Sequence, residues 1–183
     1  MMSTTETNAG PVAEALLAAL SGQECTLVRD SYAEQLVVGF GTPMPADWPL
    51  RETMRTPWLL YSRYGKWQIT DGVRQVASDD EPLNDTALQR ARAVLLHQHV
   101  SDVKFDAASS ALALTMETGA RLELLSGEDA TDEDDAWNLE VPGGLVIEAW
   151  PNRLAVTRRD AGGGTTTPSR TVVIHRLIRD VVN

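Results

Sequence analysis

The sequence predicts an α+β protein, mainly antiparallel β-sheet, with two helices at about 11–21 and 82–97. Three observations carry that prediction. Many short apolar runs alternate with polar residues between Gly-, Pro- and Asp-containing turns, as half-buried strands do. Two segments instead space their apolar residues as a helix does. The chain also matches itself. At an offset of 76 positions Leu20 falls on Leu96, Leu27 on Val103, Asp30 on Asp106, Leu36 on Leu112, Val38 on Leu114 and Phe40 on Met116; at an offset of 70, Trp67 falls on Trp137. The expected organisation is two similar units, 10–78 and 79–150, each a helix followed by a meander. A disordered tail (1–9) precedes them and a C-terminal β-hairpin extension (151–183) follows, all packed as one body.

The first helix is read from Val12-Ala-Glu-Ala-Leu-Leu-Ala-Ala-Leu20, with Pro11 in its first turn and Gly22 at the left-handed position past its end. Strands are then expected at 24–30, 35–41, 58–62, 67–70 and 73–77. The second helix is read as opening on Asp79-Asp-Glu-Pro82, with acids facing the helix dipole and Pro82 at its first position; Leu83, Ala87, Ala91, Val94 and Leu95 share a face. Further strands are expected at 102–106, 111–117, 121–125, 137–141, 145–150, 154–159 and 171–178, with a loop at 160–169.

The segments Leu20-Ser-Gly-Gln-Glu-Cys-Thr-Leu-Val-Arg-Asp-Ser-Tyr32 and Leu36-Val-Val-Gly-Phe40 resemble the opening of small bacterial proteins of unknown function. So do Leu112-Ala-Leu-Thr-Met-Glu-Thr-Gly-Ala-Arg-Leu-Glu-Leu124 and Trp137-Asn-Leu-Glu-Val-Pro-Gly-Gly144. A similar layout occurs among small acidic immunity proteins that neutralise bacterial toxins. The resemblance spans about residues 20–150, rests on structural motifs, and transfers no catalytic residue.

Composition narrows function. The 183 residues hold 26 acids against 16 bases, a net charge of −10, which argues against a nucleic-acid binder because phosphate neutralisation supplies most of that affinity. The single cysteine, Cys25, fits a reducing cytosol and excludes an internal disulfide framework. The run Val12–Leu20 is too short to span a bilayer and carries Glu14, so no membrane partner is expected. Signatures for nucleotide phosphates, dinucleotides, hydrolase nucleophiles and zinc proteases do not occur, so no cofactor is expected.

The charge is uneven. Six acids fall between Glu128 and Asp135, while residues 153–183 carry six arginines against two aspartates. Six acids in eight positions cannot pack in an apolar core, so a solvated loop is expected, either plain or steering a basic partner. A calcium loop needs Gly at its sixth position and Glu at its twelfth, and no register supplies both. The arginines pair with the chain's own acids or bind an anion.

Candidate catalytic groups have simpler readings. His97-Gln-His99 lacks a third ligand, and helix-end histidines meet the C-terminal dipole. Cys25 alternates as a core residue, and Asp30 and Asp106 cap their own turns. Trp67 and Trp137 are core anchors; Trp48, in a Pro-rich loop, is either a partner contact or a lid.

The leading expectation is a non-enzymatic protein-binding module that engages a basic partner, an immunity protein facing a toxin being one form of it. Its contact residues would be Asp129, Asp132, Glu133, Asp134, Asp135 and Trp48. Two alternatives stand beside it: a small enzyme or small-molecule-binding protein with its site between the units, lined by Arg63, Tyr64 and Arg158, and a structural subunit of a larger assembly. The sequence leaves the oligomeric state open.

Overall fold

The computed structural model describes residues 9–31, 34–45, 54–126, 134–151 and 153–158. The chain runs α1 (Ala9–Ala18), β1 (Cys25–Asp30), β2 (Leu36–Phe40), β3 (Met44–Pro45), β4 (Met54–Arg55), β5 (Trp58–Tyr61), β6 (Lys66–Thr70) and β7 (Gln75–Ser78). It continues with α2 (Asp85–Leu95), β8 (Val100–Asp106), β9 (Ala111–Met116), β10 (Arg121–Leu125), β11 (Trp137–Val141), β12 (Leu145–Trp150) and β13 (Arg153–Arg158). Among the described residues two main antiparallel sheets, a two-stranded ribbon and two helices make this an α+β protein. Each strand of the two main sheets overlaps an expected one. The short ribbon β3–β4 was not expected, because two residues carry no readable alternation. The tail 1–8 and the strand expected at 171–178 lie outside the described residues.

α1 starts at Ala9 rather than near residue 11, with Pro11 in its first turn, and its end tightens as Ala19 N–H donates to Leu16 O at 3.1 Å and Leu20 N–H to Leu17 O at 3.0 Å. Gly22 then takes φ 83° and donates its N–H to Val100 O at 2.7 Å. α2 opens three residues later than the acids suggested. Asn84 is its cap, accepting Ala87 N–H at 3.0 Å, and Leu83 and Leu88 occupy the buried staple positions around it. The earlier acids have other work: Asp79 accepts Trp67 N–H at 3.0 Å, and Glu81 pairs with Arg90 at 2.6 Å.

The six-stranded sheet has the order β1-β2-β5-β11-β12-β13, and the five-stranded sheet β7-β6-β10-β9-β8. This departs from two self-contained meanders. β1, β2 and β5 form an antiparallel run in one sheet, and β8, β9 and β10 a like run in the other. The strands after each run cross over: β6 pairs with β10, and β11 with β5. Each sheet therefore draws strands from both halves of the chain. The sheets also meet at their edges, where Glu24 bridges His99 and Val100 N–H donates to Gln23 O at 2.9 Å. α1 packs on β13 and β8, and α2 on β1 and β7.

One apolar core joins both sheets and both helices. Positions matched at the offset of 76 are buried alike: Leu36, Val38 and Phe40 on β2, and Leu112, Leu114 and Met116 on β9. Trp137 bridges the layers, donating its Nε1–H to Ser110 O at 2.7 Å and lying edge-on to Phe105 with centroids 6.1 Å apart. β2 does not alternate as a half-buried strand would. Val37 is 0% exposed, and at Gly39 a Cβ would collide with Thr56 and Leu27, so both faces of this strand are covered.

Candidate functional site

The turn between β5 and β6 is built from Ser62-Arg63-Tyr64-Gly65. Ser62 fixes its start: its N–H donates to Leu36 O and its Oγ accepts Leu36 N–H, both at 3.0 Å. Arg63 has φ 36°, in the left-handed region. Tyr64 N–H reaches Asp135 O at 3.3 Å, and Gly65 N–H reaches Ala136 O at 2.8 Å. A Cβ on Gly65 would stand 2.6 Å from both Ala136 O and Leu125 O. The chain enters the acidic run after Leu125–Ser126 and leaves it at Asp134–Ala136, so both flanks of that run close on Gly65.

The expected solvated loop does not extend to Asp135. Its residue exposure is 9%, Oδ1 faces Arg63 Nε at 3.2 Å, and Oδ2 accepts from Asn138 Nδ2 at 2.9 Å. A carboxylate can be buried here because a guanidinium and an amide supply the hydrogen bonds that water would have made. Asn138 is itself 6% exposed, and its Oδ1 meets no donor among the described residues. Arg63 in turn lies 5.6 Å from the Tyr64 ring centroid, while Tyr64 remains 57% exposed. The outcome is a turn tied to Asp135 and Ala136 that shows the Tyr64 ring to solvent. Asp134 is half-buried. Asp129, Asp132, Glu133 and Trp48 lie outside the described residues.

Arg63 and Asn138 were missed by sequence reasoning as members of this cluster. A signal existed: Asp135 stands two positions before Trp137, and alternation from a core tryptophan points its side chain inward.

The expected small-molecule site does not assemble from Arg63, Tyr64 and Arg158. Tyr61 pairs with Asn138, at the Trp137–Ala149 end of the sheet, whereas Arg158 pairs with Leu145 at the Val141 end. The strand ladder thus places Arg158 at the opposite end from the Arg63 turn. On the outer face of the five-stranded sheet, an open depression of about 220 Å³ lies over Ala111 and Ala113, edged by Lys104, Arg121, Glu123 and Leu125. Arg121 Nη2 meets Glu123 Oε1 at 2.8 Å and Gln68 donates to Glu123, while Arg121 Nε meets no acceptor among the described residues.

Other candidates resolve locally. Burial pushes the Cys25 thiol up to about 12, so it stays protonated at neutral pH and is no nucleophile in this state. Asp106 accepts from Ser109 Oγ at 2.6 Å and Ala108 N–H at 3.0 Å, and these bonds hold its carboxyl below the usual carboxylate range. Asp30 ends β1 in the other sheet. The histidines meet glutamates: His97 Nδ1 is 2.9 Å from Glu24 Oε1, and His99 Nδ1 3.8 Å from Glu117 Oε2. Among the described residues no group of three or more His, Cys, Asp and Glu is placed to hold a metal. No helix among them is long and apolar enough to cross a membrane. Comparison of the chain with protein-family models, with curated proteins and with solved structures finds no match.

Proposed function

We propose that this chain is a protein-binding module that captures a basic partner through its acidic run, with the cationic surface of a bacterial toxin as the kind of partner that fits. The observation that supports it most directly is the Asp135–Arg63 pair, which ties the end of the acidic run to the turn presenting Tyr64. Tyrosine and arginine are the side chains that dominate binding hot spots, and nearby acids speed the approach of a basic surface. Asp129, Asp132, Glu133 and Asp134 supply the field, Trp48 is a further contact, and occlusion of the partner's surface is the mechanism. Asp135 belongs to the anchor rather than to the contact surface. The buried free thiol of Cys25 supports a reducing, cytosolic setting.

The test is affinity capture from the source cell, identification of the bound protein, and association kinetics at low and moderate salt. Replacing Asp129, Asp132 and Asp134 by Asn and Glu133 by Gln should slow association about ten-fold or more and flatten its salt dependence. Unchanged capture and an unchanged salt slope in that variant would reject the reading.

A further inference from the structure

β8 is an edge strand. It pairs with β9 on one side; on the other, Val100 bonds to Gly22 and Gln23 and α1 packs against the strand, and beyond Val100 no strand among the described residues pairs with it. Hydrogen-bond parity identifies which groups face that open side. Met116 N–H donates to Ala120 O, toward β10, so Leu112 and Leu114 also bond toward β10. Ala111, Ala113 and Thr115 then bond toward β8, where they oppose Asp106, Lys104 and Asp102. The intervening Val103 and Phe105 direct their N–H and C=O groups outward. The side chains of Asp102 and Lys104 are 53% and 74% exposed, 3.8 Å apart, and alternate in sign with Asp106.

An edge with outward N–H and C=O groups is a template for another strand, and a twofold-related copy meets it with the same residues in reverse order. Four registers bring outward groups together. Phe105 opposite Phe105 of the partner subunit sets Lys104 against Asp106 of the partner subunit, twice, but Asp106 is already held by Ala108 N–H and Ser109 Oγ of its own turn, and Val103 would then oppose a residue past the end of β8. Val103 opposite Ser101 of the partner subunit sets Asp102 against Asp102 of the partner subunit. Val103 opposite Phe105 of the partner subunit sets Lys104 against Lys104 of the partner subunit. Val103 opposite Val103 of the partner subunit sets Asp102 against Lys104 of the partner subunit, twice. Directly opposed side chains in such ladders are favoured when charges are opposite and disfavoured when alike.

We infer that two copies of this chain pair antiparallel through β8 in the register centred on Val103. The two Val103 residues exchange both main-chain hydrogen bonds. The Asp102–Lys104 pairs then occupy the closer, non-hydrogen-bonded positions of the ladder. The two five-stranded sheets become one continuous sheet across the twofold axis. A strand pair alone buries less than a standard interface, so the association is weak and concentration-dependent. The pairing does not depend on the acidic run.

Sedimentation velocity from about 10 µM to about 1 mM, combined with hydrogen exchange, tests this. The expected result is mass rising toward the dimer while exchange at the Val103 amide slows in step. Lys104→Glu should weaken association about ten-fold, and the swap Asp102→Lys with Lys104→Asp should restore it. Three results would overturn the inference: a monomer throughout the range, association indifferent to Lys104→Glu, or a Val103 amide already protected in the dilute monomer because α1 covers it.

Discussion

Asp135 separates a buried anchor from a solvated acidic loop, and Asp135→Ala measures the difference. The side chain takes two interactions with it. Asn138, 6% exposed, loses its bond from Nδ2 while its Oδ1 already meets no donor among the described residues; stranding a buried amide in this way costs about 1–3 kcal/mol. The Arg63 contact, with an arginine side chain 36% exposed, is screened by solvent and adds about 1 kcal/mol. The expected loss is therefore about 2–4 kcal/mol, which for a chain of this length lowers Tm by roughly 4–16 °C. Urea unfolding at neutral pH is the assay, with Asp102→Ala, at an exposed ion pair, as the control expected within about 0.5 kcal/mol of the parent. A double-mutant cycle with Arg63→Ala should return a coupling of about 1 kcal/mol. An Asp135→Ala variant as stable as the Asp102→Ala control would refute the buried-anchor reasoning.

Three further outcomes are expected, at two residues. Cys25 should resist thiol reagents in the native state near neutral pH, reacting only as fast as the protein opens. Because its folded pKa is raised from 9.0 to about 12, the thiol contributes no pH dependence below about pH 9 and should cost stability between about pH 9 and 12, where only the unfolded thiol ionises; Cys25→Ala should flatten that alkaline slope in denaturant titrations. Asn84→Ala should lose about 1 kcal/mol by removing the cap on Ala87 N–H, whereas Asn84→Asp should retain most of it, as measured by thermal unfolding.

Local patterns were legible and distant pairings were not. Alternation marked β9 and β10 almost to the residue, because each has one face on the core, whereas β11 and β12, buried on both faces, were marked by short apolar runs. Asp106 was readable as a turn cap because its partners, Ala108 and Ser109, lie within three positions. The start of α2 was misread because acids favour a helix N-terminus by charge alone, while the residue that caps it is the neutral Asn84. The crossover of β6 and β11 depends on contacts more than fifty positions apart, which no local pattern encodes. The same distance hid the anchor: Arg63 and Asp135 are 72 positions apart, and a run of six acids reads as uniformly solvated until a partner for its last member is found.

The crossed strands also set an order of events during synthesis. Tyr61 cannot meet Asn138 until 77 further residues have been made, and at usual elongation rates that takes about 4–15 s. During that interval β5 has β2 on one side and an open apolar edge on the other, while β6 waits for β10. Neither half can complete its sheet alone, because each sheet takes strands from both halves of the chain. Folding of this kind is dominated by long-range closure, which makes it slow and sensitive to crowding by other nascent copies.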